Sequence, residues 1–300
     1  MASAEYVRVN DSGKNDLTVI LQEFQKFIHG KETKEVHMSP HFTIIVEGTK
    51  NTLHRIDANY WNPKYTKIIN EMKKGKWKIK KLGDTNPFMT YGAIVPGKKM
   101  PKLSKGVLYV SQTKMKPTGL DFSEEKIFVP RDSDWDKERF RLKYEDILIA
   151  RSGVASVGRT EIFREKIEAV VACFIDIFRQ NIINPYYLTV FMKSKYGRAQ
   201  IERLISGVGT VNINFDEIKS IQIPMLPDSL VQKVEIKYKK MSEYHDLAME
   251  VKAEALKRGK SPKEAEQDPE YQKNIQKAEK MRDDLIKRTE EIIEGKKESV

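Results

Sequence analysis

The sequence predicts an α+β protein: an irregular, mostly antiparallel β domain with short helices, followed by long C-terminal helices that form a helical hairpin or a coiled-coil spacer. Three observations predict this class. Short apolar runs separated by glycine and proline fill residues 77–130. Further strand-like runs flank a glycine loop at residues 152–158. A heptad-like apolar repeat runs through the charged segment that follows Pro227.

Two helices are predicted ahead of the β domain. Residues 16–30 place apolar side chains on one face, with Asp16 as N-cap and Gly30 as the end. A short strand is predicted in "FTIIVE", residues 42–47. The second helix is predicted at residues 62–75, where Asn62 caps, Pro63 occupies the first turn and Gly75 ends the helix.

The strand predictions rest on short apolar runs: "WKIKKLG", "YGAIVPG", "GVLYVSQT" and "EKIFVP", then the three runs within residues 142–178. A helix is predicted from Asn184, its N-cap, with a break or bend at Gly197. Val211, Ile213 and Phe215 alternate with polar neighbours and predict a strand, and a second apolar pair leads into Pro224.

A seam of apolar residues predicts that the helix after Pro227 packs against another helix. The residues of this seam are spaced alternately four and three residues apart: Val234, Tyr238, Met241, His245 and Ala248. A weaker seam follows the turn at residues 258–270: Ile275, Ala278, Leu285 and Ile292. Two arrangements remain open, a helical hairpin within the chain or a coiled pair between chains.

Charge is concentrated in one segment. The 300 residues carry a net charge of +11, and residues 64–116 hold 14 Lys, no Arg and only two acids. Such a block is typical of a surface that binds a polyanion, although a solvated lysine-rich surface has the same composition.

Several function classes are disfavoured. The lone Cys173, in an apolar run expected to be core, excludes a disulfide framework and a thiolate zinc site, and the five histidines are scattered. The sequence has neither a membrane-length apolar run nor a signal-peptide apolar region, which predicts a cytoplasmic protein. "NPYY" at residues 184–187 departs from the methylase motif it approaches, and no S-adenosylmethionine-binding motif is evident.

Four blocks together resemble the target-recognition module of type I restriction-modification specificity subunits. They are "RIDANYWNPKY" at residues 55–65, "YEDILIARSGVASVGRT" at residues 144–160, residues 184–227, and the helix start "DSLVQ". The resemblance implies a non-catalytic reader of one half of a split duplex DNA target. It further implies a long helix that sets the spacing and docks methyltransferase subunits. Those subunits methylate adenine N6 from S-adenosylmethionine, so no cofactor is expected in this chain, and a restriction subunit is a further possible partner.

This chain departs from the family pattern in its number of recognition modules. Specificity subunits of the family commonly hold two, whereas this sequence shows one and no internal repeat. Two explanations remain open: a homodimer through the C-terminal helices, or the C-terminal part of a fused adenine methylase-specificity chain. The expected domains are a helical lead-in at 1–50, a recognition domain at 51–228 and a helical region at 229–300.

Candidate contact residues follow from the chemistry of DNA recognition. Lysine is a point charge suited to phosphates, whereas Arg, Asn and Gln distinguish base edges. The predicted phosphate contacts are Lys76, Lys78, Lys80, Lys98, Lys99, Lys102, Lys105, Lys114 and Lys116. The predicted base-reading or loop residues are Asn86, Tyr91, Ser111, Gln112, Thr113, Arg131, Arg151, Ser152, Gly153 and Arg159. No metal site is expected.

A second function class stays open: a scaffold that binds RNA or other polyanions without sequence preference. Single strands are held by stacking on aromatic rings, and the basic segment contains Trp77, Tyr91 and Tyr109.

Overall fold

The computed structural model describes residues 36–38, 42–44, 59–60, 62–95, 103–206 and 211–297. The predicted helix at residues 16–30, the residues Lys98, Lys99 and Lys102, and the glycine loop at 207–210 lie outside the described residues. The chain divides into two compact units, Met1–Asn70 and Glu71–Val300. The larger β sheets and the long C-terminal helices belong to the second unit. The sequence predicts borders at other positions, after residues 50 and 228.

The first unit contains a short antiparallel pair of strands and most of a helix. Strands β1 (Val36–Met38) and β2 (Phe42–Ile44) pair with His37 opposite Thr43. Helix α1 (Pro63–Lys73) begins where predicted, and the Asn62 side chain accepts a hydrogen bond of 3.1 Å from the Lys64 amide. The predicted cap is therefore confirmed.

The second unit is built on short strands: β3 (Ile79–Lys81), β4 (Phe88–Tyr91), β5 (Val107–Val110), β6 (Met115–Lys116), β7 (Gly119–Leu120), β8 (Phe128–Val129), β9 (Ile147–Ala150), β10 (Thr160–Ile162), β11 (Ala169–Val171), β12 (Ile175–Arg179) and β13 (Gln222–Pro224). Its helices are α2 (Pro185–Lys193), α3 (Lys195–Leu204), α4 (Phe215–Ser220), α5 (Asp228–Lys257), α6 (Pro262–Glu266) and α7 (Pro269–Ile293). The predicted α+β class, with mostly antiparallel pairing and long C-terminal helices, is confirmed.

Two small sheets enclose the core of this unit. The strands of the antiparallel sheet lie in the order β10-β9-β12-β4, and those of the other sheet in the order β11-β5-β8, with β11 and β5 parallel. All four residues of β5 are buried. Leu108 and Val110 join a core with Leu148 and Ile177, while Val107 faces a second apolar cluster. Strand β5 is therefore apolar on both faces, as its unbroken apolar sequence predicts.

Two local predictions were wrong. Residues 215–220 form helix α4 instead of a strand, because Asn214 and Glu217 form a reciprocal capping box at its start. The helical break lies at Ser194 instead of Gly197, and the Ser194 side chain caps α3. Gly197 has another role: a Cβ there would lie 2.3 Å from the Phe191 carbonyl oxygen, so only glycine allows the two helices to meet this closely.

Helices α5 and α7 pack against each other as a hairpin joined through α6, so the hairpin prediction is confirmed. Val234, Tyr238, Met241, His245 and Ala248 are all buried. Two of these seam residues contact parts of the same unit outside the hairpin, helix α2 and the turn between β6 and β7. The Tyr238 ring meets the Tyr186 ring at 5.4 Å, and His245 Nδ1 lies 2.8 Å from Thr118 Oγ1. The seam thus joins the hairpin to its own domain.

Candidate nucleic-acid interface

Several loops meet where strands β4, β5, β9 and β11 end and β12 begins. Tyr91 at the end of β4 lies opposite Asp176 in the sheet. The Ala172 amide donates to the Val110 carbonyl at 2.9 Å, and the Ala93 amide donates to the Val171 carbonyl at 3.1 Å. We call the side chains gathered here the loop edge: Tyr91, Ser111, Gln112, Thr113, Arg151, Ser152, Gly153, Val154 and Phe174.

Arg151 lies at the centre of the loop edge. Its guanidinium carbon is 4.6 Å from the centroid of the Tyr91 ring and 5.6 Å from that of Phe215. Its backbone is held as well, because its amide donates to the Phe174 carbonyl at 3.0 Å and its carbonyl accepts from the Ile213 amide at 2.9 Å. Only 19% of the side chain is exposed, so Arg151 is held in one orientation with a small accessible edge.

Asp176 lies beneath Arg151. Its Oδ1 is 3.7 Å from Arg151 Nε, and its carboxyl group is fully buried. Neither carboxyl oxygen has a hydrogen-bond partner within the described part of the chain. Burial raises the pKa of Asp176 to about 7, and the nearby Arg151 only partly opposes that effect. The charge beneath Arg151 therefore changes near neutral pH.

Most of the predicted polar residues of the loop edge hold the loops together. The Gln112 amide nitrogen donates to the carbonyl oxygens of Ser152 at 3.1 Å and Phe174 at 2.6 Å. Ser111 Oγ and Thr113 Oγ1 lie 2.8 Å apart. Gly153, with φ +95°, donates its amide to the Val211 carbonyl at 3.2 Å. A positive φ favours glycine, which explains why this position is glycine.

The outward face of the loop edge is apolar and aromatic. The exposed fractions are 45% for Tyr91, 54% for Phe174 and 79% for Val154. Sequence reasoning missed Phe174, because it stands in an unbroken apolar run with no turn residue to mark it as a loop. Val154 follows Gly153 in the predicted loop. An apolar side chain in a predicted loop indicates an exposed contact residue, so the sequence does contain a signal for Val154.

Three predicted contact residues lie away from the loop edge. Asn86, with φ 47°, precedes β4, and Tyr91 ends that strand. Lys105 precedes β5, and Ser111 follows it. Arg131 is paired with Glu168, which precedes β11 and so lies at the far end of that strand from Phe174.

The described lysines of the basic segment occupy different surroundings. Lys76 and Lys78 are exposed and Lys80 is half-buried, on and beside β3, which pairs with β13. Lys114 is buried and directs its amine toward the Glu125 carbonyl at 3.5 Å, and burial lowers its pKa. Lys114 therefore does not lie on a surface that could meet a phosphate. Lys116 and Arg159 line a separate cavity of about 340 Å³ beside α7.

Two further properties bear on function. In the described ranges, no three His, Cys, Asp or Glu side chains come close enough together to hold a metal ion. Among those same residues, no helix combines the length and apolar character that crossing a membrane requires. Cys173, expected in the core, is partly exposed beside Phe174.

No known family profile and no curated protein matches this chain. Among the solved structures similar to it are three from type I restriction-modification systems. The S subunit of a type I restriction-modification system from M. genitalium is 14% identical, with a TM-score of 0.39, over 59% of this chain and 41% of that one. A chain from a structure describing complex assembly and conformational transition of the type I R-M system is 12% identical, with a TM-score of 0.41, over 78% and 54%.

The HsdS subunit from Thermoanaerobacter tengcongensis is 13% identical, with a TM-score of 0.40, over 72% of this chain and 50% of that one. This chain therefore spans about half the length of the structures it matches. It is similar to specificity subunits of type I restriction-modification systems.

Proposed function

We propose that this chain binds duplex DNA in a sequence-specific manner, as the specificity component of a type I-like restriction-modification system. Catalysis belongs, in this proposal, to partner adenine-N6 methyltransferase and restriction subunits or domains, and S-adenosylmethionine binds to the methyltransferase. The four sequence blocks described above support the family. The loop edge of this structure supports DNA reading.

The single observation that carries the proposal is the convergence of the loop edge. Strand ends from both sheets bring an arginine, an exposed aromatic pair and an exposed valine to one place on a rigid scaffold. Arginine recognises guanine through paired hydrogen bonds, and apolar side chains contact the thymine methyl group. The hydrogen bonds of Gln112 fix the loops in advance, so little entropy is lost when they meet DNA.

Exposed lysines supply the sequence-independent part of binding. If about five of them contact phosphates, the logarithm of the affinity falls with the logarithm of salt at a slope of about −4 to −5. Lys114 does not contribute to that slope because it is buried. A binding constant insensitive to salt would contradict the proposal.

One observation favours a second function, the binding of single-stranded RNA or DNA without sequence preference. Tyr91 and Phe174 are both exposed on the loop edge, and aromatic rings in this position can stack on unpaired bases. Competition distinguishes the two functions: a single-strand binder prefers unpaired nucleic acid to duplex DNA at equal salt.

The experiment that tests the proposal is a selection from randomised duplex DNA at physiological salt, followed by sequencing of the retained fraction. An enriched short motif supports the proposal and supplies the half-site, and a two-fold repeat of that motif indicates a dimer. Retention without enrichment, by the chain alone and together with a methyltransferase subunit, would overturn sequence-specific reading.

A further inference from the structure

A cavity of about 340 Å³ lies between the end of α2, the start of β10 and the side of α7. Its lining includes five cations, Lys116, Arg159, Lys193, Arg198 and Arg282, but only two acids, Glu161 and Asp283. We refer to it as the basic pocket. It is distinct from the loop edge, although Arg159 directly follows the loop that carries Arg151.

The pocket carries uncompensated positive charge. Glu161 pairs with Lys193 at 2.5 Å, and Asp283 pairs with Arg282 at 2.8 Å. These two pairs account for both lining acids. Lys116 and Arg159 form no ion pair with any described residue, so their charges remain for a ligand. A cleft lined mainly by one sign of charge focuses such a field and favours an anion.

Gly158 leaves space for the Arg198 side chain at the pocket. Gly158 has φ +76°, and a Cβ there would lie 2.3 Å from Ile201 Cγ2 and 3.1 Å from Arg198 Nη1. Any larger residue would therefore push α3 and its arginine away. Glycine at this position lets the Arg198 guanidinium lie against the chain beside Arg159.

The size and chemistry of the basic pocket fit a phosphoryl group. A volume of 340 Å³ is at the small end of the range for ligand sites, which is about 300–1,000 Å³. Arginine binds phosphate oxygens through two parallel hydrogen bonds, and lysine adds a point charge. Arg159 and Lys116, which have no carboxylate partner among the described residues, provide both, whereas Arg198 is paired with Glu202 at 3.4 Å.

We propose that the basic pocket binds a phosphoryl group, and that this group is a backbone phosphate of the DNA that the loop edge contacts. That the phosphoryl group belongs to DNA rests on the proposed function. That the pocket binds a phosphoryl group at all rests only on the residues that line it. The loop at residues 151–158 connects the two sites, because Arg151 begins it and Arg159 follows it. One duplex lying across the loop can therefore reach both.

The test compares single charge removals. Arg159→Gln and Lys116→Gln remove charge from the pocket, and the matched control Lys273→Gln removes one exposed charge from α7. Affinity for a labelled random duplex is measured by fluorescence anisotropy over a series of salt concentrations. Each pocket variant should reduce the magnitude of the log–log slope by about 0.9, and the control should leave it unchanged. Unchanged circular dichroism melting shows that the variants remain folded.

A second experiment measures the binding of inorganic pyrophosphate by calorimetry. Because no DNA is present, it tests the pocket independently of the proposed function. Pyrophosphate should bind the intact chain and fail to bind the double variant Lys116→Gln/Arg159→Gln. If the chain binds no duplex but this difference is seen, the proposed function fails and the phosphoryl site stands. An unchanged salt slope with the same difference would show that the phosphoryl group does not come from DNA. Unchanged slopes in both pocket variants and equal pyrophosphate titrations would overturn the proposal.

Discussion

The Arg151 guanidinium lies within 4.6 Å of the Tyr91 ring centroid and 5.6 Å of the Phe215 ring centroid, while its Nε lies 3.7 Å from the buried Asp176 carboxyl group. The arginine is thus held by two rings and one titratable group. A carboxylate without hydrogen bonds in a buried site is unfavourable, and Asp176 therefore titrates near neutral pH.

The first prediction concerns pH and Asp176→Asn. The folded-state pKa, about 7, is above the unfolded value near 3.8, so the folded protein binds more protons between these values. The free energy of unfolding therefore falls as pH rises through that window, by up to ~4 kcal/mol. In Asp176→Asn, the contribution of Asp176 to this decrease in the free energy of unfolding should be absent. Urea unfolding of the wild type and the variant at about pH 5 and about pH 8 measures the difference. If the free energy of unfolding changes equally with pH in the two proteins, Asp176 is not the titrating group.

The second prediction concerns base reading by Arg151. Arg151→Gln should weaken binding to the selected DNA site by about 1–3 kcal/mol and to random duplex by much less. Arg151→Lys should not restore the loss, because an ammonium has no planar fork. The matched control is Arg131→Gln, which lies away from the loop edge beside Glu168 and should preserve the preference for the selected site. Equal losses on both DNAs would assign Arg151 to the backbone instead.

The third prediction concerns the contact between the β6–β7 hairpin and α5. A Cβ on Gly119 would lie 2.6 Å from His245 Cδ2, in a site where the imidazole also contacts the Leu120 carbonyl at 3.1 Å. Gly119→Ala should lower the free energy of unfolding by about 1–3 kcal/mol. The double variant Gly119→Ala/His245→Ala should lose less than the sum of the single variants, since the smaller side chain relieves the clash. Additive losses in urea unfolding would refute this contact.

The fourth prediction concerns Lys252, a fully buried lysine on α5. Its amine lies 3.0 Å from Asp121, 2.8 Å from Glu124 and 2.6 Å from Glu266. Although burial disfavours the charge, hydrogen bonds and attraction from these carboxylates raise the pKa of Lys252. Lys252→Met should lower the free energy of unfolding by about 3–5 kcal/mol, because it leaves buried Asp121 unpaired.

Addition of Asp121→Asn to Lys252→Met should recover part of that loss, since the neutral amide needs no cation. Chemical denaturation of the single and double variants measures the recovery. No recovery would mean that packing, and not the unpaired charge, accounts for the loss.

Local signals in the sequence predicted a good part of the fold. Asn184 caps α2 as predicted, accepting from the amides of Tyr186 and Tyr187. Caps act over three residues, so they can be recognised without tertiary structure. Residues 215–220 carry two conflicting local signals: the apolar alternation predicts a strand, whereas the capping box of Asn214 and Glu217 predicts the helix that forms.

Burial and proximity could not be predicted in the same way. Lys114 and Lys116 belong to the same lysine-rich segment, so the sequence predicts a phosphate contact for both. In the structure, Lys114 is buried and Lys116 lines the basic pocket. The difference depends on strands and helices that are remote in sequence. For the same reason, the seam on α5 was identified correctly as buried, but its contacts with Thr118 and Tyr186 were not foreseen.

The α+β class, the charge of the segment at residues 64–116, most helix starts and the apolar seams can be predicted from residue order alone, because they depend on neighbours within a few residues. Which loops meet at Arg151, and which cations face the basic pocket, depends on how the chain folds in three dimensions. Those relationships depend on strand order and on long-range packing: β4, β9 and β12 are far apart in the chain but hydrogen-bonded side by side.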